Sequence, residues 1–132
     1  MANPPARAGP VLEVDWVNIH ESAENYLEAI LALGEQGPVR SIDVAQRLGF
    51  SKPSVSRAMS LLREDGALTV DEGGAIELTA QGREIAERIY ERHRLLTLWF
   101  TELGVSQEVA AADACRVEHD ISAETFQKLK EH

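Results

Sequence analysis

The chain has 132 residues, enough for one domain or for two small domains that share a helix. Apolar residues make up 44% and charged residues 27%, which is typical of a soluble globular protein. The net charge of −9 argues against a protein whose whole surface binds nucleic acid non-specifically. The single cysteine excludes an internal disulfide and favours a reducing compartment. No apolar stretch approaches the roughly 20 residues of a membrane span, and the N-terminus lacks the apolar core of a signal peptide. We therefore expect a cytoplasmic protein with no membrane partner.

The N-terminal segment, residues 1–21, is predicted to be a flexible extension. Three of the five prolines lie in its first ten residues. Residues 11–20 are nevertheless apolar enough to pack against the domain or a partner subunit. The first helix is predicted to begin at Ser22, a good N-cap, with Glu24 in the first turn, where a negative charge interacts well with the helix dipole.

Two short helices and a hairpin are predicted next. Residues 42–48 and 52–64 have helical spacing of apolar positions, and each segment follows a serine that would cap it. The first of these helices ends at a glycine, and the second has a proline in its first turn. The runs 68–70 and 75–78 resemble strands, and the Asp-Glu-Gly-Gly between them is typical of a hairpin turn.

The C-terminal half is predicted to be helical throughout, with helices over 80–103, over 106–119 and from 122 to the end. The predicted fold class is therefore mainly α with a small β-hairpin wing. A winged helix-turn-helix DNA-binding domain over residues 22–78 is followed by an all-helical metal-binding and dimerisation domain over residues 79–132.

Basic residues concentrate where a winged helix-turn-helix contacts DNA. Residues 40–63 hold five basic side chains and one acidic one, although the whole chain is acidic. The start of the second helix of the motif reaches base edges, so Arg57 would bond a guanine and Pro53 would pack on a thymine methyl. The other arginines would contact phosphates, and solvated helix faces are the alternative interpretation. The candidate DNA-binding residues are Arg40, Arg47, Ser51, Lys52, Pro53, Ser54, Ser56, Arg57 and Arg63.

A second set of polar residues has the spacing of metal ligands. Cys115, Glu118 and His119 occupy positions i, i+3 and i+4 of a predicted helix, so a thiolate, a carboxylate and an imidazole share one face. Three ligands do not complete the shell of a first-row ion. Other helices would complete it if they pack nearby, with His93, Asn25 and Glu28 as the candidates. A buried cysteine and ordinary surface charges are the alternative interpretation.

Five short stretches of the chain form a characteristic set. They are Ser-Ala-Glu-Asn-Tyr-Leu-Glu at 22–28, Ser-Val-Ser at 54–56, Leu-Thr-Ala-Gln-Gly at 78–82, Arg-His-Arg-Leu-Leu at 92–96 and Ala-Cys-Arg-Val-Glu-His at 114–119. This set, spread over about residues 22–130, resembles the diphtheria toxin repressor family. These are metal-activated transcriptional repressors, and they include iron-dependent regulators and manganese transport regulators.

The resemblance implies a ligand set, residue by residue. In the manganese branch two neighbouring ions share carboxylates, which here would be those of Glu28 and Glu118. His93 matches the histidine that binds one of the two ions. Cys115 and His119 match ligands of the other ion. The resemblance therefore implies one or two ions per chain, held between the first helix and the C-terminal half.

The chain departs from the family pattern at several positions. Asn25 stands where the manganese branch has aspartate and the iron branch has methionine, so the first ion would be held loosely. Thr97 and Ala111 cannot supply further ligands of the iron branch, and the chain ends before the SH3-like domain of that branch. The position of Cys115 is occupied by cysteine in the iron branch and usually by glutamate in the manganese branch. Because a thiolate is a soft ligand, the predicted cofactor is a divalent transition metal, Fe²⁺ first and Mn²⁺ next.

The sequence as a whole predicts a metal-activated, sequence-specific DNA-binding repressor of metal-homeostasis genes, and not an enzyme. A homodimer, packed through apolar faces that include Trp99 and Phe100, would match a palindromic operator in double-stranded DNA. The main alternative is a metal-independent winged-helix regulator in which Cys115 senses oxidants. A winged helix used only for protein contacts is a further alternative. A metal-dependent hydrolase has little support, because the chain lacks a His-Glu-x-x-His motif.

Overall fold

The computed structural model describes the backbone of residues 10–132 and the side chains of residues 22–132. The order of elements is α1 (Pro10–Gly34), α2 (Ser41–Leu48), α3 (Lys52–Glu64), β1 (Leu68–Val70), β2 (Ile76–Leu78), α4 (Ala80–Glu102), α5 (Gln107–Val117) and α6 (Ala123–Glu131). This confirms the predicted fold class, which is mainly α with a two-stranded antiparallel hairpin. None of the described helices combines the length and the apolar character needed to cross a membrane.

The first helix is longer than predicted. It begins at Pro10, so the prediction of a start at Ser22 is wrong, and residues 10–21 are part of α1. Proline is tolerated in the first turn of a helix, and the apolar run after it continues the helical pattern. Residues 1–9 of the predicted extension lie outside the described residues.

Local capping residues fix where the helices of the helix-turn-helix begin and end. Gly49 ends α2 in the left-handed conformation, with a φ of 73°, which glycine adopts without strain. Ser51 caps α3 as predicted, because its side chain accepts a hydrogen bond from the backbone N–H of Ser54. The cap of α2 differs from the prediction. Arg40, in an extended conformation, is the N-cap, and its backbone N–H donates to Asp43 Oδ2 over 2.9 Å.

The wing is the antiparallel pair of β1 and β2, in which Leu68 faces Leu78 and Val70 faces Ile76. Asp71 closes the turn, since its Oδ1 accepts a hydrogen bond from the backbone N–H of Ala75 at 2.8 Å. A bridge between Val39 and Ile76 ties the base of the wing to the segment that precedes α2.

The core of the N-terminal half is apolar and tightly closed. Its most deeply buried side chains come from α1, α2, α3 and β1, and they are Leu27, Val44, Val55 and Leu68. Burial of such side chains is the main stabilising term for a domain of this size. The arrangement presents the other face of α3 to solvent.

A tight junction joins this half to the long helix α4. The Thr79 hydroxyl caps α4 by accepting from the Gly82 N–H, and it also donates to the carbonyl oxygen of Gly66 over 2.6 Å. Gly82 has no room for a side chain, because a Cβ there would overlap the carbonyl oxygen of Ala67. Helix α4 is thereby fixed against the end of α3, and it packs along both α1 and α5. Helices α1 and α5, which are distant from each other in the sequence, therefore both pack along α4.

Candidate metal centre and DNA-binding face

Three of the predicted metal ligands form one compact cluster. Glu28 lies on α1, His93 lies on α4, and Glu118 follows the last residue of α5. Each offers one ligand atom, and these three atoms all lie within 4.8 Å of one another. Two carboxylates and one imidazole at this separation can share a divalent cation. The cluster is the point where the N-terminal half meets the C-terminal half.

Glu118 is the centre of the cluster and is completely buried. Its Oε1 atom lies 2.9 Å from Nδ1 of His93. Its Oε2 atom has no hydrogen-bond partner among the described residues, although Nε2 of His119 lies 3.5 Å away. A buried carboxylate oxygen without a partner is costly, since it has lost its hydration. A cation placed between these side chains would satisfy it.

The backbone around Glu118 is held by a buried arginine. Nη1 of Arg92 donates to the carbonyl oxygens of Glu118, at 3.0 Å, and Ile121, at 2.6 Å. The guanidinium also lies over the ring of Phe126, with 5.3 Å between Cζ and the ring centroid. Burial lowers the pKa of Arg92 from its usual value. Arg92 therefore fixes the turn after α5 and with it the position of the Glu118 carboxylate.

The raised pKa values in the cluster indicate an excess of negative charge at the site. Burial raises the pKa of Glu28 to about 7, and the neighbouring Glu118 carboxylate raises it further in the same direction. The hydrogen bond to Glu118 raises the pKa of His93, against the opposing effect of burial. Without an ion, protons bound at Glu28 and His93 would compensate the negative charge of the cluster. A divalent cation would replace these protons, so the residues present fit a metal ion.

His119 lies beside the cluster and has two partners on α1. Its Nδ1 is 2.7 Å from Oε1 of Glu24, and its Nε2 is 3.0 Å from Oδ1 of Asn25. The His119 side chain is only 2% exposed. Five of the six predicted ligands thus adjoin one another, in the order Asn25, His119, Glu118, His93 and Glu28.

Cys115, like Asn25 and His119, is a predicted ligand that is not one of the three residues of the cluster. It is exposed on α5, about one turn before Glu118. The predicted helix through His119 ends at Val117, and Glu118 keeps helical dihedral angles as its C-cap. Glu118 therefore lies close to the position that helical spacing predicts, and it belongs to the three-residue cluster. The Cys115 side chain does not belong to that cluster.

The nine predicted DNA-binding residues all lie on the exposed surface of the helix-turn-helix segment. Val55, Met59 and Leu62 form the buried face of α3. Lys52, Ser56 and Arg57 are exposed near the start of the same helix. Ser51 and Ser54 also hydrogen-bond each other through their side chains at 2.9 Å. The first turns of α3 present a polar face without an acidic side chain.

Two of the predicted phosphate-binding arginines have further roles within the chain. The guanidinium of Arg40 donates a hydrogen bond to the carbonyl oxygen of Gly73, so Arg40 holds the turn of the wing. The charge of Arg47 lowers the pKa of His93, although other causes outweigh it.

Family models match both halves of the chain. The N-terminal DNA-binding domain of the iron dependent repressor matches residues 18–75. The metal binding and dimerisation domain of the same repressor matches residues 79–132. The chain belongs to the iron-dependent, or diphtheria toxin, repressor family.

The chain is similar to relatives from both the manganese branch and the iron branch of the family. The transcriptional regulator MntR of Escherichia coli O157:H7 is 35% identical over 83% of this chain and 72% of its own length. The iron-dependent repressor IdeR of Mycobacterium tuberculosis is 36% identical over 83% of this chain and 48% of its own length. A solved manganese-dependent transcriptional repressor in complex with manganese superposes with a TM-score of 0.74, at 31% identity. The chain spans 51% of that structure, about half of its length.

The sequence did not predict that Glu24 adjoins the site. The predicted helix start at Ser22 placed Glu24 in a first turn, where a favourable interaction with the helix dipole explained it. In the structure Glu24 lies inside α1, is 7% exposed and contacts His119. The available signal was its spacing, because Glu24 and Glu28 lie one helical turn apart and share a face.

Proposed function

We propose that the chain is a metal-activated, sequence-specific DNA-binding repressor of metal-homeostasis genes. The observation that carries this proposal is the cluster of Glu28, His93 and Glu118 between the two halves of the chain. An ion bound there would favour one placement of α1, and with it the helix-turn-helix, relative to α4 and α5. An ion shifts such an equilibrium only by its difference in affinity for the two placements.

Glu118 supports the binding of up to two ions per chain. Its two carboxylate oxygens face different histidines, with Oε1 toward His93 and Oε2 toward His119. If the Glu118 carboxylate bridged two cations, each of its oxygens would have a positively charged partner. In this proposal Glu28 and His93 hold one ion, while Asn25 and His119 contribute to the other.

The identity of the ion depends on Cys115. The prediction of Fe²⁺ ahead of Mn²⁺ is based on a thiolate ligand, and the cluster formed by Glu28, His93 and Glu118 contains none. Two carboxylates and one imidazole suit Mn²⁺ as well as Fe²⁺. A Cys115→Ala variant tests whether the response to Fe²⁺ and the response to Mn²⁺ depend on the thiolate. Loss of the response to Fe²⁺ with an intact response to Mn²⁺ would support the thiolate as an iron ligand.

The DNA partner is a double-stranded palindromic operator, bound by a homodimer. The exposed start of α3 supplies the side chains for base edges, and Arg57 is the candidate for guanine recognition. Exposed apolar side chains on α4, at its C-cap and on α5 support a subunit interface, with Leu98 50%, Leu103 81% and Val109 49% exposed. Trp99, predicted to be part of this interface, also packs on Phe126 within the chain.

The test measures metal content and DNA affinity on the same sample. A duplex is first selected from a random-sequence pool in the presence of ion. Its affinity is then measured with Fe²⁺ under anaerobic conditions, with Mn²⁺, with Zn²⁺ and without metal. We expect an activating ion to tighten binding by roughly 5- to 150-fold, which corresponds to a coupling of about 1–3 kcal/mol. Equal affinity with and without every ion would contradict the proposal. Sensitivity to peroxide without any metal response would favour the redox alternative.

A further inference from the structure

The buried carboxylate of Glu24 lies next to the metal cluster but outside it. It is 7% exposed, in the middle of α1, where an ionised side chain is expensive unless it is paired. Its Oε1 atom lies 2.7 Å from Nδ1 of His119, which is a short hydrogen-bond distance. The contact spans 95 positions of sequence and joins α1 to the turn after α5.

The two ring nitrogens of His119 face different surroundings. Nδ1 faces Glu24, while Nε2 faces Asn25 Oδ1 at 3.0 Å and Glu118 Oε2 at 3.5 Å. Only one neutral tautomer leaves Nε2 with a lone pair for a cation, and in that tautomer the proton is on Nδ1. Without an ion, the amide of Asn25 fits this tautomer after a half-turn that exchanges its oxygen and nitrogen. In the orientation of the structure, Oδ1 of Asn25 and the lone pair of Nε2 would both be ligands of an ion bound between them.

We propose that Glu24 is a positioning residue for the metal site, which fixes the ring orientation and the tautomer of His119. Its carboxylate accepts the Nδ1–H of the imidazole, so that Nε2 points its lone pair toward Glu118 and Asn25. Glu24 does not itself bind the ion. The inference depends on the proposed function, since it assumes that His119 is a metal ligand.

The physical basis is the hydrogen bond behind a metal-bound imidazole. A histidine ligand usually donates its second N–H to a carboxylate or a carbonyl, which makes the coordinating nitrogen more basic and holds the ring in place. Loss of such a partner typically weakens metal binding by about 10- to 100-fold. Glu24 also adds a negative charge beside a site that already contains Glu28 and Glu118.

The test compares Mn²⁺ affinity and the His119 tautomer in four proteins. These are the full wild-type chain, Glu24→Ala, Glu24→Gln and the control Glu35→Gln, which removes one exposed carboxylate just beyond the end of α1. Titration calorimetry gives the Mn²⁺ affinity. Long-range ¹⁵N correlation spectra of the metal-free proteins at pH 8 show which nitrogen of His119 carries the proton.

We expect the wild-type chain and Glu35→Gln to show a protonated Nδ1 and equal affinity. Glu24→Ala should bind Mn²⁺ about 10- to 100-fold more weakly and lose the preference for that tautomer. Glu24→Gln retains an acceptor oxygen without the charge, so it should keep the tautomer and lose about threefold or more in affinity.

Unchanged Mn²⁺ affinity or an unchanged tautomer in Glu24→Ala would overturn the inference, as would a wild-type His119 protonated on Nε2. If Glu24→Ala fails to fold, wild-type affinity in Glu24→Gln overturns it instead. The two proposals fail differently. A wild-type chain that binds no ion contradicts the proposed function, whereas a wild-type chain that binds Mn²⁺ no better than Glu24→Ala contradicts only the role of Glu24.

Discussion

The metal cluster and the DNA-binding face use charged side chains in opposite ways. Around the cluster, carboxylates are withdrawn from water, and Glu118 is completely buried. On the DNA-binding face, Lys52 and Arg57 are exposed on a helix held by its buried apolar side. The cluster depends on the packing of α1 with α4 and α5, which are far from it in the sequence, while the DNA-binding face depends on one helix. Changes in the cluster should therefore affect coupling, and changes on the face should affect recognition alone.

The largest effect is expected from Glu118→Gln, which keeps the volume of the side chain and removes its charge. Because Glu118 lies against His93, Glu28 and His119, metal affinity should fall by about 100-fold or more. DNA affinity should no longer respond to metal. Calorimetry with Mn²⁺ and DNA binding with and without the ion measure both effects. The exposed Glu102→Gln on α4 is the control, and a metal response in Glu118→Gln equal to that of wild type would contradict the account.

The junction between α4 and the N-terminal half of the chain is tested by Gly82→Ala. Alanine normally stabilises a helix relative to glycine, but here its Cβ would overlap the carbonyl oxygen of Ala67. We expect a loss of about 1–3 kcal/mol in the free energy of unfolding, measured by urea denaturation. Gly34→Ala at the end of α1 is the control, because its Cβ would meet only an ordinary contact with Val39. A Gly82→Ala chain as stable as wild type would show that α4 is not held in this way.

Recognition is tested by Arg57→Ala. If Arg57 bonds a base, its loss should cost about 1–3 kcal/mol on the selected duplex and relax the preference at one position. Metal affinity should not change, because Arg57 lies on the exposed face of α3. Binding to the selected duplex and to a scrambled one measures the difference. A uniform loss on both duplexes would make Arg57 a phosphate contact instead.

The pH dependence of the metal-free chain tests the charges of the cluster. The pKa of Glu28 is raised from 4.5 to about 7, and the pKa of His93 is raised from 6.5. Both groups bind protons more tightly in the folded chain than in the unfolded one, so stability should fall as pH rises through these folded-state values. After allowance for solvent screening, we expect a loss of about 1–2 kcal/mol between pH 5.5 and pH 8.

Urea denaturation at the two pH values measures this loss. Glu28→Gln should reduce the pH dependence, and Glu35→Gln should leave it unchanged. Metal binding should show the opposite trend and weaken as pH falls, because protons compete for Glu28 and His93. Stability that rises between pH 5.5 and pH 8 would contradict the account.

Local signals were sufficient to predict the helix-turn-helix and the wing. The cap at Ser51, the glycine at the end of α2 and the Asp71–Gly74 turn are each determined by neighbouring residues. The start of α1 was predicted wrongly, because Ser22 and Glu24 have the local pattern of a helix N-terminus although they lie inside a longer helix.

The metal cluster could be predicted only in part. The spacing of Glu118 and His119 indicated ligands, but the pairing of His119 with Glu24 depends on how α1 crosses the end of α5. The same long-range packing leaves Cys115 outside the three-residue cluster, which its spacing on a helix could not show. Arg92 was also missed as the support of this turn, since its role depends on carbonyl oxygens 26 and 29 positions away that only folding brings within its reach.

The central claim, that an ion bound between the two halves controls DNA binding, is tested most directly by the Mn²⁺ affinity of the wild-type chain with and without its selected duplex. Thermodynamic linkage requires that DNA tighten metal binding by the same factor as metal tightens DNA binding. The account predicts an increase in Mn²⁺ affinity of roughly 5- to 150-fold when the duplex is present. Identical Mn²⁺ affinity with and without the duplex would contradict it.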